Sequence, residues 1–201
     1  MSSLNRTITY FETPGFANTA LVIEAVKERL TLGDVGTVLV PATTGRTAQQ
    51  FQHALGNAEV IAISEDEVLE VCERRPVSDR SMLDRMIRRN LPVDSERDKE
   101  ARRQIFDMTL LPICGEAWNV VRDVLYAFGQ GMKVAVEVCV AAVAVGRARP
   151  YIRVVAVGGT GEGADTAVVA RTSTQKEAFG HRPEKRLVIQ EVVAMPMTKW
   201  L

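Results

Sequence analysis

The sequence predicts an α/β protein, a three-layer α/β/α sandwich built around a mostly parallel, doubly wound sheet. Short apolar runs rich in β-branched residues alternate with helical patterns, as residues 35–41, 47–56 and 58–64 show. Such alternation is typical of parallel strands that helices cover on both faces. The chain has 201 residues, of which 46% are hydrophobic and 25% are charged, and this suffices for one substantial core. We therefore expect a single domain over residues 1–201.

The first half of the chain supplies this strand–helix–strand pattern. Polar and apolar residues alternate in 6–11, which indicates a strand. A helix follows, with apolar residues at helical spacing, with Asn18 or Thr19 available as its cap, and with Gly33 at its end. A buried strand at 35–41 then leads into the next helix and strand.

The middle of the chain differs because charged residues dominate it. Residues 74–103 contain many arginines among acidic residues, and 78–90 has an amphipathic helical pattern. We interpret about 67–107 as a charged helical insertion with a solvated surface. Three alternatives stay open: a contact between subunits of a homo-oligomer, an arginine clamp over a ligand, and a regulatory or assembly module that docks a partner.

The second half of the chain returns to regular apolar patterns. A strand is predicted at 108–113, and a helix is predicted at 115–131. Residues 132–148 are apolar and rich in alanine, without a strong helix breaker before Gly146, so they predict a buried helix despite their valines. Three further strands are predicted at 151–159, 165–171 and 186–196.

Charge and composition argue against several classes of function. The formal net charge is zero, so no bulk electrostatic attraction to nucleic acid or to an anionic membrane is expected. No apolar run reaches the roughly 18 residues of a membrane helix. The first residues lack the apolar stretch of a signal peptide, so we expect a cytoplasmic protein. Three widely spaced cysteines and two histidines predict reduced, buried thiols and no metal site.

The first candidate site follows the strand at 35–41. Its sequence, Ala42-Thr43-Thr44-Gly45-Arg46-Thr47-Ala48, places three hydroxyls, a glycine and a guanidinium in one short loop. Hydroxyl groups, backbone N–H groups and a cation are the partners that an anion requires. A helix that begins near Thr47 adds the positive end of its dipole. We expect this loop to bind phosphate through Thr43, Thr44, Gly45, Arg46 and Thr47.

The second candidate site is the glycine-rich loop Gly158-Gly159-Thr160-Gly161-Glu162-Gly163-Ala164-Asp165-Thr166. It lacks the Lys–Ser/Thr pair of a Walker A loop, and a strand follows it where a dinucleotide fingerprint needs a helix. Ligands of open α/β sheets lie outside the carboxyl ends of strands, where the strand order reverses. Both loops follow such ends. We therefore expect phosphate-binding residues here as well, namely Gly158, Gly159, Thr160, Gly161, Gly163 and Asp165.

Several candidate residues have a structural alternative. Lys133 can form an ion pair, at the surface or at a helix end, with the acidic residue four positions later. Alternatively, Lys133 and Gln130 face the ligand from the start of their helix. Helix capping explains Asn18 and Thr19, and contact with the ligand is the alternative. Asp165 has the further interpretation that it only orients the glycine-rich loop. No spacing of serine, cysteine or histidine names a catalytic residue.

Several stretches of the sequence resemble one known family. "ATTGRTA" resembles the hydroxyl- and glycine-containing loop of the pyruvate kinase C-terminal α/β domain, and "GGTGEGADTA" resembles a later loop of that domain. The whole chain is similar to the stand-alone family of pyruvate-kinase-C-terminal-like proteins, which "YFETPGFANT", "FGQGMKVAVEV" and "EVVAMP" also resemble. The resemblance covers roughly residues 7–66 and 126–197.

The resemblance implies a sheet order and a class of ligand. The implied order is 3-2-1-4-5, with antiparallel strands added at the edge. Thr44, Gly45, Arg46 and Thr47 match the positions that cradle a phosphate in the family. The implied ligand is a phosphorylated nucleotide such as flavin mononucleotide (FMN), or a sugar phosphate. The catalytic barrel of the kinase is absent, so no kinase activity is expected. The alternative is a flavin-dependent enzyme that uses the same pocket.

Overall fold

The computed structural model describes residues 3–64 and 116–199. Its strands are β1 (Thr9–Phe11), β2 (Thr37–Ala42), β3 (Glu59–Ser64), β4 (Arg153–Gly158), β5 (Thr166–Arg171) and β6 (Val188–Pro196). Its helices are α1 (Thr19–Leu30), α2 (Arg46–Leu55), α3 (Glu116–Tyr126) and α4 (Gln130–Ala144), with short 3₁₀ turns at Phe16–Asn18 and Pro183–Lys185. The six strands form one sheet in the order β1–β6–β5–β4–β2–β3.

One strand of this sheet runs against the others. β2 pairs in parallel with β3 and with β4, and β1 pairs in parallel with β6. β5 is antiparallel to both of its neighbours, β4 and β6. The sheet is therefore mostly parallel, as predicted. The expectation of antiparallel strands at the edge is wrong for these six strands, because β5 lies inside the sheet. The short connection from β4 returns the chain directly beside it, whereas a parallel neighbour needs a long crossover.

Helices cover both faces of the sheet. Successive residues of a strand point to opposite faces, so Val38 and Val40 of β2 belong to one core cluster and Leu39 to another. The first cluster also contains Val22 of α1 and Phe51 of α2. The second cluster contains most of the buried apolar residues of α4. The described elements therefore form a helix layer, a sheet and a second helix layer.

α4 is a buried helix, as its composition predicts. Eleven of its 15 residues are buried, and the free energy of burying them outweighs the small helix penalty of its valines. Cys139 lies in this helix as a free, buried thiol, and burial raises its pKa to about 12. Within residues 3–64 and 116–199, no helix combines the length and the apolar character that crossing a membrane requires.

Some predictions concern residues outside the described ranges. The charged insertion at about 67–107, the strand at 108–113, and Cys72 and Cys114 all lie there. β1 is shorter than the predicted strand, because the parallel pairing with β6 involves only Thr9–Phe11. The other strands begin and end within two residues of their predicted bounds.

Candidate functional site

The two candidate loops leave the sheet at the same edge. β2 and β4 are neighbouring parallel strands, with Leu39 aligned to Ala156, and they end at Ala42 and Gly158. We call the edge at which they end the carboxyl edge. β3, which follows β2 along the chain, pairs with one side of β2, while β4 pairs with the other side. The strand order therefore reverses between β2 and β4, which is where open α/β sheets bind ligands.

The loop after β2 ends in a left-handed glycine. Gly45 has a φ of +76° and is the N-terminal cap of α2. A Cβ there would meet no atom within 4 Å, so the backbone conformation explains this glycine. No side-chain cap occupies the first-turn N–H groups of α2. Thr43, Thr44 and Arg46 are exposed, and Thr47 is half-buried. This loop thus offers its donors and its guanidinium to solvent.

Asp165 lies at the centre of the loop after β4. Its side chain is fully buried, and its Oδ2 accepts hydrogen bonds from the backbone N–H groups of Gly15, at 2.9 Å, and Thr160, at 3.0 Å. The Thr166 hydroxyl donates to its Oδ1 at 2.8 Å. Both carboxylate oxygens are therefore used within the protein. The structure places Asp165 as the link between the glycine-rich loop and the segment before α1.

The glycines of this loop have two different causes. A Cβ on Gly158 would lie 2.0 Å from the carbonyl oxygen of Gly131, and one on Gly159 would lie 2.3 Å from the carbonyl oxygen of Gly163. A Cβ on Gly163 would lie 2.5 Å from a side-chain oxygen of α1. These three residues are glycines because chain segments approach one another closely there. Gly161 is exposed, and a Cβ there would meet open space.

Thr160 carries a hydroxyl that no described residue satisfies. Its Oγ1 is buried, and no hydrogen-bond partner for it exists within the described parts of the chain. Nearly all buried polar atoms of native proteins are hydrogen-bonded, so an unsatisfied hydroxyl indicates a place for a water or a ligand. Among the residues that the sequence assigns to phosphate binding, Thr160 is thus the one in the second loop with a free hydrogen-bonding group.

The start of α1 packs against the glycine-rich loop. The Ala164 N–H donates to Thr19 Oγ1 at 3.0 Å, and that hydroxyl donates to the Phe16 carbonyl at 2.7 Å. The Asn18 side chain donates to the Thr13 carbonyl at 2.8 Å. α1 has no side-chain cap hydrogen bond, so the capping explanation is wrong for Asn18 and Thr19. Both side chains instead hold the loops on either side of the helix start.

Lys133 and Glu137 form an ion pair inside the protein. Lys133 Nζ lies 3.1 Å from Glu137 Oε1, and each side chain is 1% exposed. The expected place at the surface or at a helix end is therefore wrong, because α4 is covered along most of its length. Gln130 begins this helix and is half-buried. A buried charge needs its partner, so Lys133 serves Glu137 in this structure.

Three helices begin at the carboxyl edge. α2 starts directly after β2 and its loop. α1 contacts the glycine-rich loop through the hydrogen bond from Ala164 to Thr19. α4 begins beside the end of β4, where Gly131 and Gly158 are in close backbone contact. Each helix N-terminus carries a partial positive charge and N–H groups without a partner in the helix. The arrangement therefore favours an anion at this edge.

Two residues of the carboxyl edge show how far local patterns reach. Gly131 is a glycine because a Cβ there would lie 2.2 Å from both Asp165 Oδ1 and Thr166 Oγ1. Lys199 lies against Gly129, at the start of α4, and no sequence pattern indicates this. The position of Lys199 depends on how the last strand joins the sheet. No protein-family model matches this sequence.

Proposed function

We propose that this protein binds a phosphorylated small molecule at the carboxyl edge, between the loop after β2 and the loop after β4. FMN, another nucleotide and a sugar phosphate are the candidate ligands. We further propose that the chain is a stand-alone pyruvate-kinase-C-terminal-like protein with the sheet order 3-2-1-4-5. The described order β3–β2–β4–β5 corresponds to 2-1-4-5 in that scheme and supports this part of the proposal.

The convergence of three helix N-termini on the reversal of strand order carries the proposal. α1, α2 and α4 each have ten or more residues, so each has a developed dipole. The positive end of such a dipole corresponds to roughly half an elementary charge. Backbone N–H groups at helix starts bind phosphate in many unrelated folds. A phosphate group at this edge would receive all three contributions.

The side chains around the edge also favour an anion. Thr44, Arg46 and Thr47 at the loop after β2 are open or half-open to solvent, and hydroxyls and a guanidinium donate strong hydrogen bonds to phosphate oxygens. Asp165 is the carboxylate of the other loop, and its oxygens already accept three hydrogen bonds. Thr160 adds a buried hydroxyl without a described partner. The groups left for a ligand are therefore mainly donors.

Thermal unfolding with matched pairs of ligands tests the proposal. FMN is compared with riboflavin, and ribose 5-phosphate is compared with ribose, because each pair differs only in its phosphate. A ligand at 100 times its Kd stabilises the folded state by about 2.7 kcal/mol. For a chain of this length, that raises Tm by about 5–11 °C. We expect the phosphorylated member of at least one pair to raise Tm, with little or no shift from its partner.

Two results would contradict the proposal in different ways. Equal shifts with FMN and riboflavin would show a flavin site that does not recognise phosphate. If neither phosphorylated compound, nor inorganic phosphate at high concentration, raised Tm, phosphate binding at this edge would be excluded.

A further inference from the structure

The tail after β6 runs to the carboxyl edge. The Met197 N–H donates to the Phe11 carbonyl at 2.7 Å, and the Thr198 N–H donates to the Glu12 carbonyl at 3.3 Å. These bonds extend the parallel pairing of β1 and β6 beyond the ends of both strands. Because parallel strands end at the same edge, the tail is held there by backbone hydrogen bonds. Its next residue, Lys199, therefore has a defined position.

Lys199 lies at the start of α4. Its Cδ is 3.5 Å from the position that a Cβ on Gly129 would occupy, and Gly129 is the N-terminal cap of α4. Its Nζ donates a hydrogen bond to the Pro196 carbonyl, and the residue is half-buried. Burial lowers the pKa of Lys199, and the nearby negative charge of Asp165 opposes that lowering.

This is an unfavourable position for an ammonium group by itself. The start of a helix carries a partial positive charge, which repels a cation, and partial burial adds a desolvation cost. Asp165 compensates from nearby, but its two oxygens accept hydrogen bonds from Gly15, Thr160 and Thr166. An anion between the ammonium and the first turn of α4 would relieve both costs. The Thr160 hydroxyl, which has no partner in the described regions, lies in the loop that Asp165 holds.

We propose that Lys199 is a ligand-binding residue of the carboxyl edge, and that its ammonium binds the phosphate group of the ligand at the start of α4. This inference rests on the proposed function and narrows it. The ligand class is a phosphate monoester, whose dianion can accept from Lys199, from first-turn N–H groups and from the Thr160 hydroxyl at the same time. The competing explanation is that Lys199 serves only as a distant counter-charge for Asp165.

Variants of the full chain separate these two roles. Lys199→Met removes the charge and keeps most of the apolar side chain, and Lys199→Arg keeps the charge. Lys176→Met is the matched control, because Lys176 is exposed in the connection after β5, which ends at the opposite edge of the sheet. Affinities for FMN and riboflavin are measured by titration, with inorganic phosphate as the minimal probe, and Tm is measured without ligand.

The expected result is selective for phosphate. Lys199→Met should weaken FMN and inorganic phosphate about tenfold, as loss of a charge-assisted hydrogen bond does, and leave riboflavin binding unchanged. Lys199→Arg should retain most of the affinity, and Lys176→Met all of it. Unchanged FMN affinity in Lys199→Met, with or without a lower Tm of the ligand-free protein, would overturn the inference and leave the proposed function intact. Failure of the unmodified chain to bind either phosphorylated probe would overturn both.

Discussion

The two edges of the sheet treat their polar groups in opposite ways. At the amino edge, where β2 and β4 begin, Arg29 is 6% exposed and bonds to two carboxylates. Its Nη1 lies 2.7 Å from Asp34 Oδ1, and its Nε lies 2.7 Å from Glu191 Oε2. Arg153 bonds to the same two carboxylates, at 2.8 and 3.3 Å. The charges of this network thus have their partners within the protein.

The carboxyl edge leaves many of its groups available. The hydroxyls of the loop after β2 are open or half-open, α2 begins without a side-chain cap, and the Thr160 hydroxyl is buried without a described partner. Lys199 lies at the positive end of a helix. Closed charge networks contribute to stability, whereas open donors contribute to binding. The comparison therefore predicts that changes at the amino edge alter unfolding, and that changes in the open groups of the carboxyl edge alter affinity.

The largest expected effect concerns Asp165, the part of the carboxyl edge that is closed. Asp165→Ala would leave the Gly15 and Thr160 N–H groups and the Thr166 hydroxyl without their acceptor. We expect the free energy of unfolding to fall by about 3–5 kcal/mol, since each buried unsatisfied donor costs about 1–3 kcal/mol. Urea denaturation measures this loss. Asp165→Asn keeps one acceptor and should cost less, and equal losses for both variants would contradict the assigned hydrogen bonds.

The glycines of the second loop offer a matched pair. Gly163 and Gly161 have φ values of +78° and +73°, so alanine causes similar backbone strain of about 1 kcal/mol at each. A Cβ on Gly163 also meets Phe16 atoms at 2.8 Å, whereas one on Gly161 meets open space. Overpacking adds about 1–3 kcal/mol. We expect Gly163→Ala to destabilise by about 3 kcal/mol and Gly161→Ala by about 1 kcal/mol. Equal midpoints in urea would contradict the close contact.

Arg29→Met tests the amino edge. It would leave Asp34 and Glu191 with Arg153 as their remaining strong partner, and the partial exposure of both carboxylates limits the cost. We expect a loss of about 2–3 kcal/mol in the free energy of unfolding, with unchanged affinity for FMN. A marked loss of FMN affinity in this variant would contradict the division between the two edges.

The same network has a pH dependence. The hydrogen bond from Arg29 lowers the pKa of Asp34 to about 2, and it lowers the pKa of Glu191 as well. A carboxylate with a lowered pKa stabilises the folded state fully above its unfolded pKa of about 4 and loses this contribution as the pH falls through its folded pKa. The unmodified chain should therefore lose stability between about pH 4 and pH 2. Arg29→Met should lose less over that interval in parallel denaturation curves.

Thr47→Val tests the open part of the carboxyl edge. The change keeps the β-branched shape and removes the hydroxyl donor. We expect FMN or ribose 5-phosphate to bind roughly 10- to 100-fold more weakly, while riboflavin or ribose and the Tm of the ligand-free protein change little. Thr44→Val should act in the same direction. Equal losses for phosphorylated and unphosphorylated ligands would show that the loop shapes the pocket without contacting the phosphate.

The smallest effect on stability is expected at Thr160. Thr160→Val replaces a buried hydroxyl that has no described partner with a methyl group, so the ligand-free protein should be unchanged or more stable by about 1 kcal/mol or less. Affinity for the phosphorylated ligand should fall. A clear destabilisation without ligand would indicate that the hydroxyl already has a partner in solution.

The amino-acid sequence by itself determined the α/β class and the positions of most elements. β2, β3, β4 and α4 follow from apolar runs of characteristic length and from turn residues near them, which are local features. The sequence also indicated the two loops, since hydroxyls and glycines directly after apolar strands are visible without a structure. Burial of α4 followed from its composition, despite valines that favour strands.

Only the tertiary structure decided which groups each loop has left for a ligand. Asp165 accepts from Gly15, which lies 150 residues away along the chain, and no local pattern encodes that contact. The depth of Lys133 depends on the elements packed over α4, and the place of Lys199 depends on the pairing of β6 with β1. Local sequence fixes backbone preference and hydrophobic periodicity, whereas burial and partnership arise from segments that meet only when the sheet forms.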